Sequence, residues 1–190
     1  MNVVILNGSN NDWSPLNIVE NIVAKELRKN EWEIETFELR NKNLATCIGC
    51  FGCWIKTPGQ CIQKDEGNEI AKAVARSDLL VLLSPVTFGG YSFHLKKMLE
   101  RLIPNLLPHF TKINGEIHHK YRYERSPRLL AVGYLSRHDV ESERIFKLLL
   151  SRNALNMHSP ANYTEVFAGS MINFNEDKII TLLKNMEAIV

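Results

Sequence analysis

The chain has 190 residues, 45% hydrophobic and 23% charged, with 23 lysines and arginines against 21 aspartates and glutamates. That length can bury one good core, and a formal net charge of +2 is too small to argue for nucleic acid or a membrane surface as partner. No stretch approaches the roughly 18 apolar residues of a membrane span, and the start, Val3-Val4-Ile5-Leu6, lacks the parts of a secretory signal, so the cytoplasm is the expected compartment.

Short apolar runs alternate with helix-length amphipathic segments, the pattern of a wound α/β sheet. Asn2–Leu6, Leu79–Leu83 and Leu129–Val132 are almost wholly apolar, as interior parallel strands covered on both faces should be. Glu31–Leu39 and Tyr163–Ala168 mix polar with apolar residues and are expected at the two edges. Five strands with the second and fifth outermost match the 2-1-3-4-5 order of flavodoxin-like doubly wound sheets, from which the order of the middle three is taken.

Helix boundaries follow from capping chemistry. Ser14 is the candidate N-cap of the first helix, with Pro15 at its first position and Leu16, Val19, Val23 and Leu27 along one face. Asp65 should cap a second, ending near Arg76. Ser92 should cap a third, whose stripe Leu95, Met98, Leu99 and Leu102 stops before Pro104. Asp139 opens a fourth, and Ile179, Leu182, Leu183 and Met186 mark the last. The whole of 1–190 reads as one domain with two segments outside this framework: a cysteine loop at about 40–64 and an insert at about 104–127, the latter expected to be irregular.

All four cysteines lie in the first of these segments, as Cys47-Ile48-Gly49-Cys50-Phe51-Gly52-Cys53 and then Cys61. Disulfide frameworks usually tie distant segments together, so this clustering points to a metal or redox site. Successive CxxC spacing with intervening glycines lets the chain wrap a compact inorganic core, and the run is closer to a ferredoxin-type ligand series than to the paired knuckles of structural zinc. An iron–sulfur cluster, zinc, a thiol redox pair and plain hydrophobic packing all remain open on spacing alone.

In a sheet of this order a crevice opens at the carboxyl ends of the first and third strands. The loops there read Asn7-Gly8-Ser9-Asn10-Asn11-Asp12-Trp13-Ser14-Pro15 and Ser84-Pro85-Val86-Thr87-Phe88-Gly89-Gly90-Tyr91-Ser92. The first runs straight into a helix N-terminus, where unpaired N–H groups and the helix dipole favour a phosphate, although it is neither a GxGxxG fingerprint nor a P-loop. A bare loop-to-helix turn would use the same residues. The second supplies flat apolar surface from Pro85, Val86 and Phe88, and glycines that let backbone approach a ring edge. A phosphorylated planar cofactor would use both loops at once, and FMN is the economical candidate.

With those residues the chain resembles the NAD(P)H-dependent FMN reductase branch of the flavodoxin-like superfamily, and within it the iron–sulfur flavoproteins. The resemblance rests on Asn7-Gly8-Ser9 with Ser14 and Asn17, on Ser84-Pro85-Val86-Thr87-Phe88-Gly89, and on Cys47, Cys50, Cys53 and Cys61. It implies that Ser9, Ser14 and Asn17, with backbone around Asn10, Asn11 and Leu16, hold the FMN phosphate, and that Pro85, Val86, Thr87, Phe88 and Gly89 border the isoalloxazine. It implies a [4Fe–4S] cluster on the four cysteines and a homodimer or homotetramer. Asn10, Asn11 and Asp12 stand where many relatives carry an arginine, which implies a phosphate held by neutral groups, and Thr87 stands where tyrosine is common.

Chemistry in such a protein belongs to the flavin, so no side chain is assigned a catalytic role. The expected activity is oxidation of NAD(P)H with electrons passed to a small-molecule or protein acceptor. An electron carrier served by a ferredoxin-like donor and a non-catalytic flavin-binding redox sensor are the alternatives. Lys120, Arg122 and Arg125 in the insert are candidates for the pyridine nucleotide's phosphates, against a plain solvated face. His118-His119 suggests a metal pair, but adjacent side chains diverge. Tyr134, Ser136 and Arg137 fall by position beside the flavin's other side, and Phe51 and Trp54 beside the cysteines.

Overall fold

The computed structural model describes residues 1–12, 14–169 and 175–187; Trp13 of the first loop lies outside them. In chain order the elements are β1 (Asn2–Asn7), α1 (Pro15–Lys29), β2 (Glu33–Glu38), α2 (Gly52–Ile55), α3 (Gly67–Arg76), β3 (Leu79–Pro85) and α4 (Phe93–Glu100). They continue with β4 (Leu106–Ile113), β5 (Glu116–Tyr121), β6 (Arg128–Leu135), α5 (Val140–Asn156), β7 (Asn162–Ala168) and α6 (Glu176–Glu187). Five strands pair in parallel as β2-β1-β3-β6-β7, which is 2-1-3-4-5 when only that sheet's strands are counted.

Successive residues of a strand point to opposite faces, so an interior strand must be apolar at every position. Val4, Leu6, Leu80, Leu82, Leu129 and Ala131 face α3, α4 and α5 and join Ile70, Val74, Leu95, Met98, Phe146 and Leu150 in one core. Val3, Ile5, Leu79, Val81, Leu83, Leu130 and Val132 face the other way, onto Leu16, Val19, Val23 and Leu27 of α1 and Ile179, Leu183 and Met186 of α6. The sheet is therefore wound on both faces.

The expected caps of α1, α4 and α5 form, whereas the residue at the N-cap of α3 is Glu66, whose side chain makes no cap bond. Ser14 Oγ accepts from Leu16 N, Ser92 Oγ from Leu95 N, and Asp139 from the amides of Glu141 and Ser142. Asp65 Oδ1 accepts from Gly67 N at 3.0 Å at the start of α3, and its second oxygen has another task described below.

The insert is not irregular: β4 and β5 make an antiparallel hairpin apart from the main sheet. Its turn is Asn114-Gly115, at φ of 50° and 88°, the residue pair that tolerates the left-handed conformation a tight hairpin requires. Regular pairing runs from Phe110 to Ile113 opposite Glu116 to His119 and is interrupted between Leu106 and Phe110, where Pro108 brings no N–H to the ladder. The two histidines part company as their adjacency requires. His118 Nδ1 lies 2.8 Å from Asn156 Oδ1 of α5, while the His119 ring packs between Trp54 and Phe110 with centroids 4.7 and 4.6 Å away.

Candidate functional site

The first loop is organised by Asn7, the polar residue that ends an apolar strand. It is 1% exposed; its Oδ1 accepts from Ser9 N at 2.9 Å, and its Nδ2 donates to Asn17 Oδ1 at 3.0 Å and Glu20 Oε2 at 2.6 Å. Burial pushes the Glu20 carboxyl up, against the lowering effect of that hydrogen bond. Asn17 Nδ2 closes the turn on Asp12 O at 2.8 Å. Gly8 passes between β3 and α4 so closely that a Cβ would sit 2.7 Å from Ser92 Oγ and 3.0 Å from Leu83 O. Only glycine fits there.

Within this frame the Ser9 side chain is wholly buried, and among the described residues its hydroxyl has no hydrogen-bond partner. A buried orphan hydroxyl costs stability unless something else satisfies it. Ser9 belongs to the loop that runs into a 15-residue helix with no acidic residue in its first turn, an end at which an anion is favoured. Ser14 and Asn17 serve the turn itself, and Asn10 and Asn11 are exposed above it. A cation also grips the outside of the loop from just past β2, with its charge met by two carboxylates. Arg40 Nη1 donates to Asn11 O at 3.1 Å, and Nη2 pairs with Asp12 and, at 2.9 Å, with Glu38. His94, in the first turn of α4, has a buried Nδ1 with no partner among the described residues; burial, then Lys97 and Arg40, push its imidazole pKa down.

The second loop is a tight turn in which Thr87 and Gly90 exchange backbone hydrogen bonds of 3.1 and 2.8 Å. Phe88 at its tip has φ of 50° and is 96% exposed, a strained backbone presenting a bare ring. Ser84 Oγ accepts from Ser92 N at 2.8 Å and ties the two ends of the loop. Val86 donates its N–H to Tyr134 O and packs inward against Gly133, so Phe88 rather than Val86 supplies the open apolar surface. Tyr91 beneath it meets Phe146 edge to face and accepts from Asn153; burial pushes its pKa up to about 12.

None of the four cysteines is in a disulfide, and all four line one small cavity closed by the end of α4 through Glu100 and Arg101. Burial pushes the Cys53 thiol up, and the nearby Cys61, Cys47 and Cys50 add to that. Gly52 N points at Cys50 Sγ at 3.5 Å. The donor set suits a thiophilic metal centre. As placed, however, the thiols enclose about 20 Å³, and among the described residues no group of three His, Cys, Asp or Glu stands ready to hold a metal ion. That volume is about one water's room, so an inorganic core would have to spread them.

The cavity does not share the crevice of the two loops. Helix α4 separates them, its N-cap Ser92 against the first loop and its last residue Glu100 on the cysteine cavity, and eight residues of helix span about 12 Å. Two of the insert's cations are engaged elsewhere. Arg122 donates to Pro104 O at 2.7 Å and Leu106 O at 3.2 Å, while Arg125 lies 3.7 Å from Asp78, which precedes β3 at the sheet's amino end. Tyr134 is tied to Gly169 O, and Ser136 and Arg137 are exposed after β6.

A parallel sheet of this order with two loops meeting at its switch point is a flavodoxin-like scaffold. The model of the NADPH-dependent FMN reductase family matches residues 1–121, which hold both crevice loops and the cysteines, and the chain belongs to that family. An iron–sulfur flavoprotein of Archaeoglobus fulgidus is 32% identical over 80 residues, covering 42% of this chain and 36% of that protein. One of Methanocaldococcus jannaschii is 42% identical over 72 residues, covering 38% and 36%. The matches thus span little more than a third of those relatives. Among solved structures, an NAD(P)H:quinone oxidoreductase from Methanothermobacter marburgensis superposes with a TM-score of 0.68 at 15% identity over 99% of this chain and 94% of that one. An FMN-dependent NADH-azoreductase from Bacillus anthracis, in complex with FMN, gives 0.66 at 12% over 100% and 97%. Such identities speak for the fold.

Proposed function

We propose that the chain is an FMN-dependent oxidoreductase that takes electrons from NAD(P)H and passes them to a small-molecule or protein acceptor, with a [4Fe–4S] cluster on Cys47, Cys50, Cys53 and Cys61 as relay. The observation that carries the flavin is the buried Ser9 hydroxyl, without a partner among the described residues, in the loop that runs into α1 of a chain of the NADPH-dependent FMN reductase family. Ser9, with backbone around Asn10, Asn11 and Leu16, holds the phosphate in a turn shaped by Ser14 and Asn17; Phe88, with Pro85, Thr87 and Gly89, borders the ring above the inward-packed Val86. When bound, FMN supplies hydride and single-electron chemistry. Asn7 holds the Ser9 amide in place, Arg40 braces the loop through Asn11 O while Asp12 and Glu38 meet its charge, and Phe88 offers an open apolar ring at the crevice. Four free thiols suit a reducing compartment such as the cytoplasm. The exposed crevice loops suit a homodimer or homotetramer.

A second proposal, an electron carrier fed by a ferredoxin-like protein, is favoured by the engagement of Arg122 and Arg125 away from the crevice, which leaves the insert fewer cations for a pyridine nucleotide. Anaerobic purification with FMN, followed by absorption spectra and iron, sulfide and zinc assays, tests the cofactors. Flavin bands without iron after reconstitution remove the cluster. Stopped-flow bleaching by NADH or NADPH separates enzyme from carrier: if neither bleaches the flavin while a low-potential iron–sulfur donor does, the reductase assignment goes.

A further inference from the structure

Among the described residues Arg101 is the largest that is buried to below 2% exposure, and it lies one residue past α4. Its guanidinium makes a two-pronged pair with Asp65, Nη1 to Oδ2 and Nη2 to Oδ1, both 2.7 Å, and Nη1 also donates to Ala45 O at 2.7 Å. Asp65 Oδ2 accepts in turn from Ala45 N at 2.8 Å. Ala45 begins the cysteine loop and Asp65 ends it, so one side chain grips both ends. Around this knot, Gln63 reaches across to Thr46 O, and Asn68 holds the Cys61 backbone from both its N–H and its C=O. Gly67 leaves the needed room, since a Cβ there would stand 3.0 Å from Arg101 Nη2.

The same guanidinium lies on the wall of the cysteine cavity. Hydrogen bonding to Asp65 raises its pKa, burial opposes that, and Cys61 adds a further raising contact. Its Nε–H is buried and has no hydrogen-bond partner among the described residues. A fold-supporting ion pair does not need a free donor edge beside a thiol, and N–H donors beside ligating sulfur are how proteins tune such centres.

We infer that Arg101 is a positioning residue for the cysteine site: it clamps Ala45 to Asp65 so that Cys47, Cys50, Cys53 and Cys61 share one wall, and it turns a fixed N–H edge toward the metal–sulfur core they hold. This rests on the cluster assignment above. The step involved is positional, with no bond made or broken.

The test uses the full chain in three forms: wild type, Arg101→Lys, and Arg101→Gln with Asp65→Asn, which leaves no unpaired buried charge. FMN affinity and thermal midpoint serve as fold controls. In metal-free protein, amide exchange across 45–65 should speed up about tenfold in the double variant, with the rest of the sheet unchanged. After anaerobic reconstitution with iron and sulfide, chelator should strip the double variant about tenfold faster than wild type, and its cluster potential should fall, with Arg101→Lys between the two. Wild-type exchange in the double variant, or wild-type iron retention and potential in a variant that reconstitutes, overturns the role of Arg101. A wild type that takes up no iron removes the cluster, and the exchange measurement still decides the clamp. If the double variant does not fold, Arg101→Lys carries the same measurements, and wild-type values there overturn the clamp.

Discussion

The crevice loop after β1 and the cysteine loop after β2 leave adjacent parallel strands, yet they are fixed by opposite means. Neutral amides hold the first: Asn7 Nδ2 donates to Asn17, Asn17 closes the turn, and the cation Arg40 grips it from outside. The second is closed by a buried charge pair, Arg101 with Asp65, which burial alone would push toward the neutral acid but which hydrogen bonds from Arg101, Ala45 and Gly67 hold ionised. An amide network degrades bond by bond, whereas a buried ion pair that loses one partner leaves the other stranded in a low-dielectric site. The two loops should therefore fail differently.

The sharpest contrast comes from truncating each keystone. Arg101→Ala should cost about 3–5 kcal/mol in urea unfolding because the buried Asp65 carboxylate is left without its counter-charge, with only the Ala45 and Gly67 amides to hold it. Asn7→Ala should cost less, about 2–3 kcal/mol, as it strands the Ser9 amide and frees Asn17, with FMN affinity falling alongside. Equal losses would erase the distinction between the loops. Ser9→Ala separates binding from folding: FMN affinity measured by fluorescence should drop about tenfold, while the metal- and flavin-free chain stays within about 0.5 kcal/mol of wild type, since an orphan hydroxyl has been deleted. A large loss of apo stability would mean that Ser9 is part of the frame.

The smallest effect concerns the hairpin. Its exposed Glu116 is held down to about 2 by Arg152 and, further, by His118. A carboxylate depressed in the folded state stabilises fully above its unfolded value near 4.3 and loses that contribution as pH falls toward 2. Glu116→Gln should thus lower the thermal midpoint slightly at neutral pH, and the gap from wild type should close between about pH 4.5 and 2. A gap that persists at pH 2 would deny the pairing.

The sheet could be read from composition because interior parallel strands have no polar face, and helix starts could be read because Ser14, Ser92 and Asp139 cap through bonds two or three residues away. The hairpin carried an equally local sign, Asn114-Gly115 between Phe110, Ile113, Ile117 and Tyr121, which the prolines and clustered charges around it obscured. Arg101 also left a trace: it follows Met98 by three residues, on the buried stripe of α4, where a charge must have a partner. Nothing local marks that partner, because Asp65 is 36 residues away and Ala45 is 56 away. Arg40, which meets Asn11 across 29 residues, was invisible for the same reason. Capping and periodicity are short-range physics, while a buried charge chooses its partner through the fold.

Helix α4 works as a gauge block between the two sites. Its start is pinned by Ser92 beside Gly8, and the residue just past its end carries the guanidinium that closes the cysteine loop. A helix advances about 1.5 Å and turns about 100° with each residue. One residue added within it would leave the crevice untouched and swing Arg101 a quarter-turn off Asp65. The separation and relative facing of the two sites are thus recorded in an integer, the number of residues from Ser92 to Arg101, and point substitutions on the surface of α4 can alter its charge without altering that count.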